Sequence, residues 1–154
     1  MIEAQITPAS IRFAALNLLS MREHSFKELT TKLNDKFNQS GLIKDVLIAL
    51  AETGLQSDER FADAFARQRI RQGKGPILLA MELSQRGICN SLIEQAISAD
   101  VVDWNELAAK VRQKKFGEGK SLTPQMRAKQ IRFLASRGFK SSHIQFALNY
   151  SPEL

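Results

Sequence analysis

The sequence has few of the residues that build disulfides and metal sites. It contains one cysteine, Cys89, so no disulfide can form within the chain, and its two histidines, His24 and His143, are widely separated. Glycine-rich phosphate loops, G-x-G-x-x-G and H-E-x-x-H are all absent. The sequence therefore predicts no catalytic residue, no metal and no cofactor. We expect both histidines at the surface and Cys89 packed as a small hydrophobic side chain.

Long apolar segments are also missing. The densest apolar run, residues 46–51, lies between Lys44 and Glu52 and is far too short to cross a bilayer. The first residues lack a basic segment followed by an apolar one, so no secretion signal is expected. With a lone cysteine, these features predict a soluble protein of the reducing cytoplasm, without membrane contact.

The positions of proline and the spacing of apolar residues indicate helices along the whole chain. Proline is tolerated at the first position of a helix, and three prolines follow Thr7, Gly75 and Thr123 in that way. Between such marks, apolar residues recur at helical spacing and no strand pattern is present. The predicted helices cover residues 8–21, 25–37, 41–53, 58–72, 76–86, 91–98, 103–116, 124–137 and 141–149.

Helix caps support these boundaries. Ser25 with Glu28 and Ser91 with Glu94 have the spacing of a capping box, in which each side chain satisfies a free backbone N–H. Three glycines follow helical segments and precede a hydrophobic residue, as left-handed C-terminal caps do. These glycines are Gly54, Gly87 and Gly138.

The chain contains an internal repeat. A shift of 50 residues aligns Leu29 and Leu33 with Leu79 and Leu83, and a shift of 51 aligns Leu83 with Leu134. We predict an all-α fold of three tandem, helix-turn-helix-like three-helix repeats that form an elongated, curved array. The predicted repeats are residues 1–56, 57–100 and 101–154. The alternative is one compact nine-helix bundle in which the matches reflect only helical periodicity.

Positive charge is concentrated in the last two thirds of the chain. Residues 1–57 carry 6 basic and 6 acidic residues, whereas residues 110–140 carry ten basic residues, Lys120 among them, and the single acid Glu118. Such an imbalance attracts a polyanion or an acidic protein surface. A solvated helix face is the alternative for the stripe of basic residues at 60–74. The candidate binding residues are Arg60, Arg67, Arg71, Lys74, Arg86, Lys110, Lys114, Lys115, Arg127, Lys129, Arg132 and Arg137.

Three segments resemble the RecX family of RecA regulators. They are Asp58-Glu59-Arg60-Phe61-Ala62, Arg71-Gln72-Gly73-Lys74-Gly75-Pro76 and Glu82-Leu83-Ser84-Gln85-Arg86-Gly87-Ile88. The likeness extends to residues 25–33 and 130–139. It implies a cytoplasmic protein of tandem three-helix repeats that binds the RecA nucleoprotein filament and restrains recombinase, ATPase and co-protease activity in DNA repair and the SOS response.

A second interpretation comes from the charge and the short helix pairs alone. A glycine-containing turn between two short helices is also typical of helix-turn-helix proteins, so direct binding to single- or double-stranded DNA is the alternative function. The two interpretations share the same basic residues and are not exclusive. In either case we expect a monomer that acts by binding and not by catalysis.

Overall fold

The computed structural model describes residues 5–119 and 122–150, and all regular structure in these ranges is helical. Lys120 lies outside the described residues. The predicted helices are all present, and the largest difference is at α6, which ends at Ala96 and not at residue 98. The helices are α1 (Pro8–Met21), α2 (Phe26–Phe37), α3 (Ser40–Glu52), α4 (Asp58–Arg71), α5 (Pro76–Gln85), α6 (Asn90–Ala96), α7 (Trp104–Phe116), α8 (Pro124–Ser136) and α9 (Ser141–Asn149).

Most of the predicted caps are confirmed. Ser25 and Glu28 form a reciprocal capping box at the start of α2, and the glycines that end α3, α5 and α8 have φ values of 79°, 80° and 92°. The capping box predicted from Ser91 is wrong. Helix α6 begins one residue earlier, at Asn90, and its N-cap residue Cys89 makes no side-chain cap hydrogen bond.

The helices α1 to α3 form the first repeat around a core of their own. This core is lined by fully buried aliphatic side chains from all three helices, and extensive packing of these helices stays within the repeat. Its largest members are Ile11, Leu29, Leu33, Ile43, Leu47 and Leu50. The first repeat is therefore a separate hydrophobic unit.

The second repeat (α4 to α6) and the third repeat (α7 to α9) share one continuous core. Phe61, Leu79 and Leu83 from the second repeat and Trp104 and Leu134 from the third belong to the same buried cluster. The helix pairs that pack extensively still lie within one repeat or the other. The tandem-repeat fold is confirmed and the single nine-helix bundle is wrong. Two of the three repeats nevertheless depend on a common core.

The accessible surface indicates an extended outline. A compact monomer of 17.3 kDa exposes about 7,800 Å². This chain exposes 9983 Å². The excess agrees with repeats arranged in a row, as does the finding that extensive helix packing in the described ranges stays within single repeats.

The joint between the first and second repeats is polar. The backbone N–H of Phe26 donates to a carboxylate oxygen of Asp58 at 2.8 Å, and the amide of Gln56 donates to the same oxygen at 2.9 Å. Arg60 Nε lies 3.0 Å from a carboxylate oxygen of Glu23. Hydrogen bonds, and not a shared core, therefore hold the first repeat against the second.

The joint between the second and third repeats is a close contact of two backbones. Gly75 N–H donates to the carbonyl of Arg137 at 2.7 Å, and Ile77 N–H donates to the carbonyl of Gly138 at 2.9 Å. A Cβ at Gly75 would lie 2.5 Å from the carbonyl carbon of Gly138. Glycine is therefore required at position 75, because only a residue without a Cβ allows this approach. From the sequence, Gly75 was recognised only as the residue before a helix that starts at Pro76.

No helix among the described residues has the length and apolar character needed to cross a bilayer.

Candidate anion-binding cleft

The turn that follows α4 brings its backbone directly against α7. Gly73 has a φ of 78°, and an ideal Cβ at this position would lie 2.9 Å from a methyl group of Val111. Any side chain here would meet both left-handed strain and a steric clash. Glycine removes both obstacles, so Arg71 at the end of α4 lies along the same cleft as the basic residues of α7.

Helix α7 contributes one face to the cleft. Leu107, Lys110, Val111, Lys114 and Lys115 recur at the three- and four-residue spacing that places side chains on one side of a helix. Lys110 Nζ lies 3.0 Å from the carboxylate of Glu106, but both side chains are well exposed, so water screens this pair. The two lysines at the end of the helix lie nearest its C-terminus, where the helix dipole favours positive charge.

Helix α8 contributes an aromatic ring surrounded by cations. The ring of Phe133 has Lys115 Nζ at 5.6 Å and the guanidinium carbon of Arg137 at 5.2 Å from its centroid. The ring of Phe116 packs perpendicular to it, with the two centroids 5.3 Å apart. Because the Arg137 carbonyl also accepts from Gly75, both the backbone and the side chain of Arg137 are held in place.

These elements enclose a cleft of about 430 Å³ where the second and third repeats meet. Among the described residues that line it, five are cationic and none is a carboxylate, while Leu107, Val111 and Phe133 provide an apolar floor. The five cations are Arg71, Lys110, Lys114, Lys115 and Arg137. A concave site of one charge sign concentrates ligands of the opposite sign. We call this site the basic cleft.

Two further grooves continue from the basic cleft along α4. The first shares Arg71 and Lys110 with the cleft and adds Arg67, but two carboxylates, Asp103 and Glu106, also line it. The second extends from Arg67 to the start of α4. Positive charge is therefore strongest at the joint of the second and third repeats and is partly neutralised along the rest of α4.

Five of the twelve predicted binding residues meet in the basic cleft, and two more line the adjoining grooves. Of these two, Arg67 pairs with the carboxylate of Asp63 on the same helix, at an exposed site. Arg60 donates to the carbonyls of Gly54 and Leu55 as well as to Glu23, so its guanidinium is already occupied within the chain.

The remaining predicted residues lie outside these grooves. Arg86 stacks over Phe65, with its guanidinium carbon 4.5 Å from the ring centroid, and donates to the carbonyl of Glu82 at 3.1 Å. Arg127 donates to the side chain of Gln145 at 2.9 Å. Lys74 is half-buried in the turn before α5, whereas Lys129 and Arg132 are exposed on α8. The structure thus separates the twelve residues into a cleft set and a peripheral set.

The sequence prediction missed the apolar floor of the cleft. None of the floor residues Leu107, Val111 and Phe133 is among the predicted binding residues, and of the three only Phe133 lies in a segment of family likeness. Arg112 is one of the ten basic residues of the segment 110–140, but its side chain is buried, and Arg112 Nε donates to the side-chain oxygen of Gln130 at 2.7 Å. Helical spacing alone did not distinguish this internal arginine from its exposed neighbours.

Three predictions about isolated residues are resolved by the structure. The expectation that His24 is at the surface is wrong: the ring is 2% exposed, with Nδ1 3.0 Å from the carbonyl of Arg22 and Nε2 3.0 Å from Lys32 Nζ. Burial lowers the pKa of His24. Cys89 was predicted to be packed, but it is exposed, and a hydrogen bond with Ser91 lowers the pKa of its thiol. His143 is half-buried near the start of α9.

Comparison with known families gives two matches along the chain. The family model of the second three-helix domain of RecX matches residues 57–97, and that of the third three-helix domain matches residues 103–148. The "Regulatory protein RecX" of Halorhodospira halophila is 39% identical over 147 residues, which cover 96% of this chain and 91% of that protein. The protein of the same description from Pseudomonas putida strain GB-1 is 44% identical over 133 residues, which cover 86% of this chain and 85% of that one.

Solved structures agree with the fold. The crystal structure of RecX from Lactobacillus salivarius superposes with a TM-score of 0.76 at 22% sequence identity, and the match covers 92% of this chain and 94% of that one. A second structure, described as a crystal structure of regulatory protein RecX, has a TM-score of 0.78 at 23% identity, with 93% and 72% of the two chains covered. At these identities the likeness establishes the shared arrangement of helices.

Proposed function

This chain belongs to the RecX family, and we propose that it is a regulator that binds the RecA nucleoprotein filament. Binding restrains recombinase, ATPase and co-protease activity during recombinational repair and the SOS response. The chain acts in the cytoplasm and performs no chemistry of its own. Its relatives are named regulatory proteins, which agrees with a role exercised through binding.

The observation that carries this proposal is the basic cleft. At the joint of the two repeats that the family models match, five cations converge, and no carboxylate of the described ranges lines the cleft with them. Such a surface is complementary to an assembly that contains DNA, which is a polyanion, or to acidic groups on its protein. We place the principal contact with the filament here, through Arg71, Lys110, Lys114, Lys115 and Arg137.

The repeat architecture suggests how binding becomes regulation. An extended row of repeats can contact successive subunits of a helical polymer, and several weak contacts then combine through effective concentration. Within the described residues, the first repeat shares no buried hydrophobic cluster with the second and is joined to it by polar contacts such as those of Asp58 and Arg60. It can therefore adjust its position on a neighbouring subunit at small energetic cost while the rigid second and third repeats remain bound.

The experiment is a titration of the single-stranded-DNA-dependent ATPase of the matching RecA. We expect inhibition at amounts well below one chain per RecA. The variant K114E/K115E reverses two charges in the cleft and should lose most of the inhibition. The variant K36E/K44E makes the same change in charge at exposed positions of the first repeat and serves as the matched control. Equal inhibition by both variants would contradict the assignment of the cleft.

Direct DNA binding remains the second candidate, because Lys129 and Arg132 offer exposed positive charge on α8 beyond the cleft. Neutralising Z phosphates of duplex DNA gives a log–log slope against salt of about −0.9Z. A contact dominated by protein should give a flatter slope. If naked DNA binds this chain as tightly as the filament does, the DNA-binding function is preferred and the filament-specific proposal fails.

A further inference from the structure

The composition of the basic cleft indicates what kind of partner surface it recognises. We propose that the cleft captures a peptide segment of the filament protein in which carboxylates flank an aliphatic or aromatic side chain, and not the phosphates of the nucleic acid. This inference rests on the proposed function and specifies the partner of the same site. It requires that the cleft recognise both apolar character and negative charge.

The floor of the cleft supplies the apolar part of this recognition. Leu107, Val111 and Phe133 line it, and each is partly exposed although it packs against the shared core. Burying an aliphatic or aromatic side chain there removes apolar surface of both partners from water. A phosphodiester backbone has no group that would gain from such a floor. The volume of about 430 Å³ lies within the range of roughly 300–1,000 Å³ typical of sites that take an organic group.

The aromatic ring is poorly placed for nucleic acid. Single strands are usually held by bases that stack on an open aromatic face. Phe133 already has a perpendicular neighbour in Phe116 and two cations, from Lys115 and Arg137, over its ring. A base would have to displace these groups, whereas an aliphatic side chain can pack on the floor beside them.

The cations are placed around this floor and not in a line that would follow a backbone. Arg71 comes from α4, Arg137 from the end of α8, and Lys114 and Lys115 from α7, so the charges lie on three elements around one apolar site. Arginine offers a planar fork that binds a carboxylate through two hydrogen bonds. This arrangement suits a short peptide with carboxylates on both sides of its apolar residue.

The test compares three fluorescent probes by anisotropy with the purified chain. They are the peptide Glu-Glu-Leu-Phe-Glu-Glu, the peptide Glu-Glu-Ser-Ser-Glu-Glu of equal charge, and a fifteen-residue oligothymidylate. We expect the serine peptide to bind at least about tenfold more weakly, because burial of one large apolar side chain is worth roughly that factor. The variant K114E/K115E should lose the first peptide, and K36E/K44E should retain it.

A second variant tests the floor without removing volume. Val111→Thr keeps the shape of the side chain and replaces one methyl group by a hydroxyl group. It should weaken binding of the leucine-containing peptide several-fold and leave binding of oligothymidylate unchanged. Equal affinity for the two peptides would overturn the inference, since charge alone would then account for binding. Displacement of the leucine-containing peptide by oligothymidylate at similar concentrations would also overturn it, in favour of a nucleic-acid cleft.

The same peptides separate this inference from the proposed function. Added to the ATPase assay, the leucine-containing peptide should relieve inhibition and the serine peptide should not. If the chain inhibits the recombinase but neither peptide binds or relieves inhibition, the peptide inference fails and the proposed function stands. If the chain does not inhibit at all, the proposed function fails, whatever the peptides do.

Discussion

The joint between the second and third repeats depends on Gly75, and a substitution that adds one methyl group there tests this dependence. In the variant Gly75→Ala, the new Cβ would lie 2.5 Å from both the carbonyl carbon and oxygen of Gly138 and 2.6 Å from the backbone nitrogen of Phe139. All three are backbone atoms, so no flexible side chain can move aside. The two chain segments must separate by nearly 1 Å to reach ordinary contact.

The expected loss in the free energy of unfolding follows from the packing and the hydrogen bonds that this separation disrupts. Forcing an extra carbon into a packed site costs about 1–3 kcal/mol. The hydrogen bonds from Gly75 N–H to Arg137 and from Ile77 N–H to Gly138 would lengthen, and each is worth about 0.5–1.5 kcal/mol. We therefore expect Gly75→Ala to reduce the free energy of unfolding of the shared core by about 3 kcal/mol. Arg137 would also shift within the basic cleft, so binding should weaken.

The chain contains its own reporter for this measurement. Trp104 is the single tryptophan, it is buried in the shared core, and its indole N–H donates to the carbonyl of Ile97 at 2.9 Å. Its fluorescence during urea unfolding reports the second and third repeats. With a slope of about 2 kcal/mol per molar urea, the midpoint should fall by roughly 1.5 M.

Gly41→Ala is the matched control. The same methyl group added at Gly41 meets no atom within 4 Å, and this glycine lies inside α3. Alanine is the better helix former, so this variant should be as stable as the parent or more stable by up to about 1 kcal/mol. If Gly75→Ala leaves the Trp104 midpoint unchanged, the close backbone contact is not what joins the two repeats.

Three further predictions concern the first repeat and its joint. Leu47→Ala should cost the first core about 2–5 kcal/mol, lowering the helicity midpoint measured by circular dichroism while the Trp104 fluorescence midpoint stays nearly constant. Asp58→Ala removes the acceptor of the Phe26 N–H, so the stability of the joint should fall by about 1.5–3 kcal/mol. Hydrogen exchange of the Phe26 amide should then become faster. Burial holds the pKa of His24 below 6.5, so just below that pH the unfolded chain binds more protons than the folded chain. The free energy of unfolding should therefore fall as the pH drops from 6.5. The variant His24→Gln should make this fall shallower.

Each of these has an outcome that would contradict it. A parallel shift of both midpoints in Leu47→Ala would mean that the two cores unfold as one unit. Unchanged exchange of the Phe26 amide would show that the Asp58 contact contributes little to the joint. The pKa of His143 is also lowered by burial, so His143→Gln is the control, and an equal flattening by both variants would argue against a special role for His24.

The basic cleft illustrates what could be predicted from local sequence and what could not. The twelve candidate cations were found because unbalanced charge is visible in the chain itself. Their division into a cleft set and a peripheral set was not visible, because Arg71, Lys114 and Arg137 are far apart in sequence. Arg86 and Arg60 look the same as Arg71 in a helical pattern, yet one packs on Phe65 and the other binds carbonyls in the preceding turn.

The sequence by itself determined the helices, their order and the repeat. Caps, proline positions and the spacing of apolar residues act within a few residues, so Thr7, Ser25 and Gly54 mark helix ends without reference to the rest of the chain. Only the tertiary structure decided that two repeats share a core, that His24 is buried while Cys89 is exposed, and that cations of three helices surround an apolar floor. These features depend on contacts between segments distant in sequence, where a glycine such as Gly75 sets how closely two backbones approach.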